Sequence, residues 1–101
     1  MVGLTMNGMQ GAYTIDSVQV NSEPVMDNDG FEKLIVAPNQ VSIEPAGIEF
    51  VVNQSTSRSA ILESRSQVFF AEYSKRDGHL TLDLSRPAFR ETIRLSASLE
   101  N

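Results

Sequence analysis

Short runs of alternating apolar and polar residues, cut by turn residues about every ten positions, fill this chain and predict an all-β fold. The first run, residues 12–20, carries Tyr13 and Ile15 in one phase and Val18 and Val20 in the other. That slip predicts either a bulge near Asp16-Ser17 or a twist that carries the strand past the end of a barrel. After the turn Asn21-Ser22-Glu23 and Pro24, the stretch Asp27-Asn28-Asp29-Gly30 reads as loop. Strands follow at 32–37, at 40–44 with Val41 and Ile43 on one face, and through Ile48, Phe50 and Val52. Pro38-Asn39 and Pro45-Ala46-Gly47 separate them.

The chain then turns serine-rich from 53 to 66, with a short apolar centre at Ala60-Ile61-Leu62 that reads as a fifth strand. Its low hydrophobicity suggests an edge strand or a flap. A sixth strand at 67–74 sets Val68 and Phe70 on one face and Phe69 on the other, and Phe70 is taken as the inward residue. Asp77-Gly78 then turns the chain into 79–84, where Leu80, Leu82 and Leu84 alternate with Thr81 and Asp83, the clearest hairpin in the sequence. Beyond Pro87, Ile93, Leu95 and Ala97 line a last strand. No segment sustains a 3.6-residue period, although residues 1–10 have room for a helical turn.

About eight short strands without crossover helices leave two architectures, a small up-and-down antiparallel barrel and a two-sheet β-sandwich. The succession of hairpins favours the barrel, whose closure also removes exposed sheet edges. At 101 residues the whole of 1–101 is expected to be one domain. Strands this short supply roughly 24 inward positions, and an eight-stranded barrel is just wide enough for side chains to fill. The interior is therefore expected to be filled or barely hollow.

Composition narrows the chemistry. Without cysteine there is no disulfide, thiolate nucleophile or thiolate metal site. The net charge of −5 argues against nucleic acid as a partner, because phosphate binding needs clustered Lys and Arg. Charge is uneven: up to Ser57 the sole cation, Lys33, stands against seven carboxylates, whereas from Arg58 onward seven cations face six. Opposite-sign faces of that kind are a basis for a homodimer, and ordinary surface variation is the plainer reading. The longest apolar runs are four residues, so no membrane span is expected, and no signal peptide is recognisable. Both a cytoplasmic location and export after removal of a leader are compatible with that.

The opening Met9-Gln10-Gly11-Ala12-Tyr13, continued through Ile15, Ser17, Val18 and Val20 to Glu23-Pro24-Val25, resembles a small lipocalin-like domain family of planctomycete-type bacteria. The likeness extends to Leu34-Ile35-Val36 before Pro38-Asn39, to the hairpin from Glu72 to Asp77-Gly78 with Leu80 and Leu82, and to Arg86-Pro87 with Phe89. It implies a lipocalin-like barrel with the Gly-x-aromatic residue plugging one end. Here Tyr13 stands where Trp is usual, so its hydroxyl needs a partner. Ser22-Glu23 stands where Gly-Lys is commoner. The family is largely uncharacterised, so the resemblance implies no activity, cofactor or catalytic residue.

Candidate chemistry is sparse. His79, the single imidazole, follows the Asp77-Gly78 turn with neither a Gly-x-Ser-x-Gly elbow nor a second histidine in the chain. Asp27-Asn28-Asp29-Gly30 resembles the start of a calcium loop, but the register puts Val25 and Val36 at the first and twelfth positions, where side-chain oxygens are required. Glu44 and Glu49 flank a turn and suggest facing carboxylates. Asn53-Gln54-Ser55 is a glycosylation sequon. Among Arg86, Arg90 and Arg94, Arg94 is the candidate for an inward arginine that binds a carboxylate ligand or pairs with Asp16 or Glu72.

No catalytic residue, metal site or cofactor is therefore expected. The expected function is a non-enzymatic binding module for a small apolar or amphipathic ligand, held in or at the mouth of a shallow barrel. Tyr13, Phe50, Phe70, Leu82, Ile93 and Arg94 are the interior candidates. The alternative is a protein-interaction or structural domain whose barrel is filled by side chains.

Overall fold

A computed structural model describes residues 9–25, 30–56 and 58–100. The calcium-like Asp27-Asn28-Asp29 and most of the helical turn expected within 1–10 lie outside them. The strands are β1 (Gly11–Val20), β2 (Glu23–Pro24), β3 (Phe31–Ala37), β4 (Gln40–Pro45), β5 (Ile48–Ser55), β6 (Ser59–Ser64), β7 (Gln67–Arg76), β8 (His79–Arg86) and β9 (Glu91–Leu99). A 3-10 turn, Pro87–Phe89, links the last two. Every pairing is antiparallel. β3 to β9 follow one another around the sheet, and β1 joins β3 on one side and β9 on the other. The molecule is a closed, antiparallel, eight-stranded barrel, with the two-residue β2 hydrogen-bonded to the end of β1. Closure through β1 and β9 excludes the sandwich.

The slip within β1 is a bulge. The β1–β9 register shifts between Ile15 and Ser17, so that Tyr13, Ile15 and Val18 all point into the core. Without the extra residue, the strand could not bury both halves of its apolar set.

Two expectations fail. β6 is neither an edge nor a flap: it pairs with β5 and β7 and buries Ala60 and Leu62. Two inward side chains suffice for a six-residue strand, so low overall hydrophobicity did not mark an edge. In β7 the inward set is Phe69, Ala71 and Tyr73, and Phe70 points outward at 49% exposure. The two-residue turn at Asp77-Gly78 decides this. It sets Tyr73 opposite Leu82 and Ala71 opposite Leu84, and opposite residues of an antiparallel pair share a face.

The core is apolar throughout: among the described residues no polar or charged side chain is buried. Leu34, Val41, Leu62, Leu80, Leu82 and Leu95 have no accessible surface. A side chain lining a void wide enough for water would keep surface toward it, so the centre of the barrel is packed solid.

Candidate functional site

The six interior candidates occupy three different places. Tyr13 and Leu82 are fully buried in the packed core. Phe50 and Ile93 lie at one mouth of the barrel. Phe70 and Arg94 face outward, on the opposite side of the sheet from the interior expected for them.

Tyr13 plugs the other end. Gly11, two residues before it, has φ +144°, and a Cβ there would lie 3.0 Å from Leu99 Cδ1. A side chain at that position would press on the Leu99 methyl and sit at a φ that L-residues rarely adopt. The Tyr13 hydroxyl donates to the Met9 carbonyl at 2.7 Å, which satisfies the group that a tryptophan would have arranged differently. Lys75 Nζ stands 5.6 Å from the ring centroid.

At the mouth, a cleft of about 710 Å³ is lined by Phe31, Ile48, Phe50, Phe69 and Ile93 among others. Phe50 meets Phe69 edge-to-face, centroids 5.3 Å apart. Arg86 closes over them. Its Nε donates to Glu91 Oε1 at 2.8 Å, Nη2 approaches the same oxygen at 2.6 Å, and Nη1 donates to Gln67 Oε1 at 2.6 Å. Its guanidinium carbon lies 5.1 Å from the Phe69 centroid and 4.5 Å from that of Phe89. An arginine stacked between two rings and paired with a carboxylate is a strut that caps the core. The Arg-Pro pair with Phe89 marked this region in the sequence. Its partners Glu91 and Gln67 were missed, although β8–β9 pairing sets Arg86 opposite Glu91.

The third place is a groove of about 760 Å³ on the outside of the barrel, across the end of β5, β6, β7, β8, β9 and the end of β1. The ladder builds it in two rows. Ile61, Phe70, Ser85 and Thr92 are successive cross-strand neighbours, and Ser59, Glu72, Asp83, Arg94 and Gln19 form the next row. Arg94 Nε donates to Asp83 Oδ1 at 2.7 Å and Nη2 to Oδ2 at 3.2 Å. That hydrogen bond first, and the carboxylate's charge second, hold the Arg94 pKa above its ordinary value. Asp83 is its partner in the ladder, and the pairings expected with Asp16 or Glu72 are not those formed. An inward Arg94 would have buried a charge in an apolar core, which no bulge in β9 arranges.

One wall of the groove is the β5–β6 connection, fixed from beneath by Tyr73. The Tyr73 hydroxyl donates to the Thr56 carbonyl and, at 3.2 Å, to that of Ser59, while its backbone N–H donates to Arg58. Burial raises the Tyr73 pKa above 10.0. Thr56 Oγ1 in turn accepts from the N–H groups of Arg58 and Ser59.

The remaining candidates do not assemble. Ser98 Oγ donates to Asp16 Oδ2 at 2.6 Å and, with its proton committed there, accepts from His79 Nδ1 at 3.1 Å. A histidine that activates a serine must accept from it, so the polarity is reversed. Glu44 and Glu49 are not opposite each other: Glu44 faces Lys33 on β3, and Glu49 faces Ser42. Among the described residues no three His, Cys, Asp or Glu side chains come together to hold a metal ion. Asn53 is exposed and donates to Glu63. No protein-family model, curated protein or solved structure matches the chain.

Proposed function

We propose that the protein is a non-enzymatic binding module that holds an amphipathic ligand on the outside of its barrel. The observation that carries this reading is the contrast between a centre with no accessible surface and an open outer groove floored by a half-exposed phenylalanine. Leaving a large aromatic half-exposed on the outer face of the sheet forfeits the free energy its burial would gain. A ligand that covers Phe70 recovers it. The up-and-down barrel with its Gly11-x-Tyr13 opening supports the lipocalin-like resemblance, and the reversed Ser98–His79 polarity supports a module without catalysis. The outer strand positions carry Asp16, Glu32, Glu49, Glu72 and Asp83, whereas a barrel that spans a membrane turns apolar residues outward.

The test is amide chemical-shift mapping against water-soluble amphipathic fragments. Saturable shifts centred on Phe70, Ile61 and Ser85 are expected. Saturable shifts centred on the amides of Leu34, Leu82 and Leu95 would place the ligand inside, and no saturable shift anywhere would end the binding-module reading.

A protein partner is the second reading. Val51 and Val68, 55% and 48% exposed, flank Glu63 across adjacent strands beside the same groove. It requires a self-association in sedimentation velocity that a Val68→Lys change abolishes, and a monomer at all concentrations would remove the homodimer.

A further inference from the structure

We propose that the outer groove is a site for a neutral oligosaccharide, an inference that rests on the reading that the ligand sits outside the barrel. The groove pairs one aromatic face with a surround of hydroxyl and amide groups. Phe70 is flanked across the ladder by Ile61 and Ser85, and no neighbouring side chain covers it enough to bring its exposure below 49%. Gln19, Ser55, Thr56, Ser59 and Thr92 line the same groove. A sugar ring has the matching character: C–H groups on one face and hydroxyls at the rim. The electron-rich face of a phenyl ring attracts such polarised C–H groups.

Charge selects within that class. Arg94 and Asp83 neutralise each other, and their bidentate contact holds both in place. The guanidinium keeps N–H groups beyond the two spent on Asp83, and each carboxylate oxygen keeps acceptor capacity. A fixed donor beside a fixed acceptor suits a pair of neighbouring hydroxyls, each of which both gives and takes a hydrogen bond. Glu72, exposed between Ser59 and Asp83, adds a negative charge that repels phosphate, sulfate and uronate groups. An alkyl chain laid across the groove would cover the Arg94–Asp83 pair and offer it no hydrogen bond.

The ladder argues against an extended peptide. Along both rows the strands are interior to the closed sheet, where the backbone groups are engaged with neighbouring strands. A peptide cannot add itself as another strand there, so recognition falls to side chains. Five strands at the usual spacing span about 19 Å, room for several sugar units in line.

The experiment titrates the protein with neutral hexasaccharides of glucose (β-1,4 and α-1,4), xylose, mannose and N-acetylglucosamine, read by amide shifts, with hexagalacturonate beside them. At least one neutral sugar should give saturable shifts at Phe70, Glu72, Asp83 and Arg94. Phe70→Ala and, separately, Arg94→Ala should each weaken it about tenfold or more with the melting temperature unchanged. Absence of saturable groove shifts with every neutral sugar overturns the proposal. So does binding that both variants leave intact, or a preference for the galacturonate. If the amphipathic fragments still bind at the groove when the sugars do not, this inference falls and the outer-face reading stands. If neither binds, both fall.

Discussion

Tyr13 and Tyr73 sit at the same end of the barrel and use their hydroxyls in the same way, each donating to backbone carbonyls of a neighbouring segment. Replacing Tyr13 by Ala removes a fully buried ring and should cost about 3–5 kcal/mol in denaturant unfolding. Tyr13→Phe leaves the Met9 carbonyl without its donor and should cost only about 1 kcal/mol. A loss below about 1 kcal/mol for the alanine variant would remove the plug assignment. Tyr73 gives a pH signature. Its folded pKa is raised by burial, so the unfolded chain releases the proton first as pH rises. The stability it contributes is fully present below about pH 10 and is lost as pH rises through the folded value. Urea midpoints measured from pH 8 to 11 should therefore fall more steeply for wild type than for Tyr73→Phe, and parallel curves would contradict the assignment. The inward place of Tyr13 was legible because Gly11 and the alternating Ile15 frame it. The partners of the Tyr73 hydroxyl were not, since those carbonyls lie across a connection whose path no side-chain pattern specifies.

The hairpins carry the register. Asn21-Ser22, Arg65-Ser66 and Asp77-Gly78 each have positive φ at both central residues, as two-residue turns of right-twisted strands require. Only Asp77-Gly78 has a glycine to adopt it without cost, which is why it gave the clearest hairpin in the sequence, while Asn21-Ser22 read only as a turn. The other two hold L-residues in left-handed conformation against their preference. Ser66→Gly should stabilise the protein by about 1 kcal/mol, seen as a higher urea midpoint with unchanged slope, and destabilisation would mean that the Ser66 φ of 66° is not that of the folded chain. The faces of β7 and β9 were within reach of the same turn chemistry. Counting back from Asp77-Gly78 places Ala71 and Tyr73 with the buried leucines of β8. Phe70 was misassigned because both phases of Val68-Phe69-Phe70-Ala71 are apolar, so alternation alone gives no direction there. Arg94 lies between Ile93 and Leu95, both inward, and alternation by itself turns it outward.

For the molecule as a whole, the all-β class and the barrel followed from strand spacing, and closure by β1 and β9 followed from nothing local. It depends on the bulge at Asp16, which keeps β1 inward along its full length while it changes neighbours. The outer groove was not legible, because it is made from positions that belong to six strands and meet only after closure. Within the basic half of the chain, Arg86 pairs with Glu91 and Arg94 with Asp83. What remains decisive is the solid centre, on which the outer-face reading depends. Xenon at a few atmospheres tests it, because dry apolar cavities bind the gas. Methyl spectra of the wild type should show no saturable shifts at Leu34, Leu62, Leu82 or Leu95. Leu82→Ala, which opens a void among them, should acquire such shifts and lose about 2–5 kcal/mol. Saturable interior shifts in the wild type would show a hollow barrel and return the ligand to its inside.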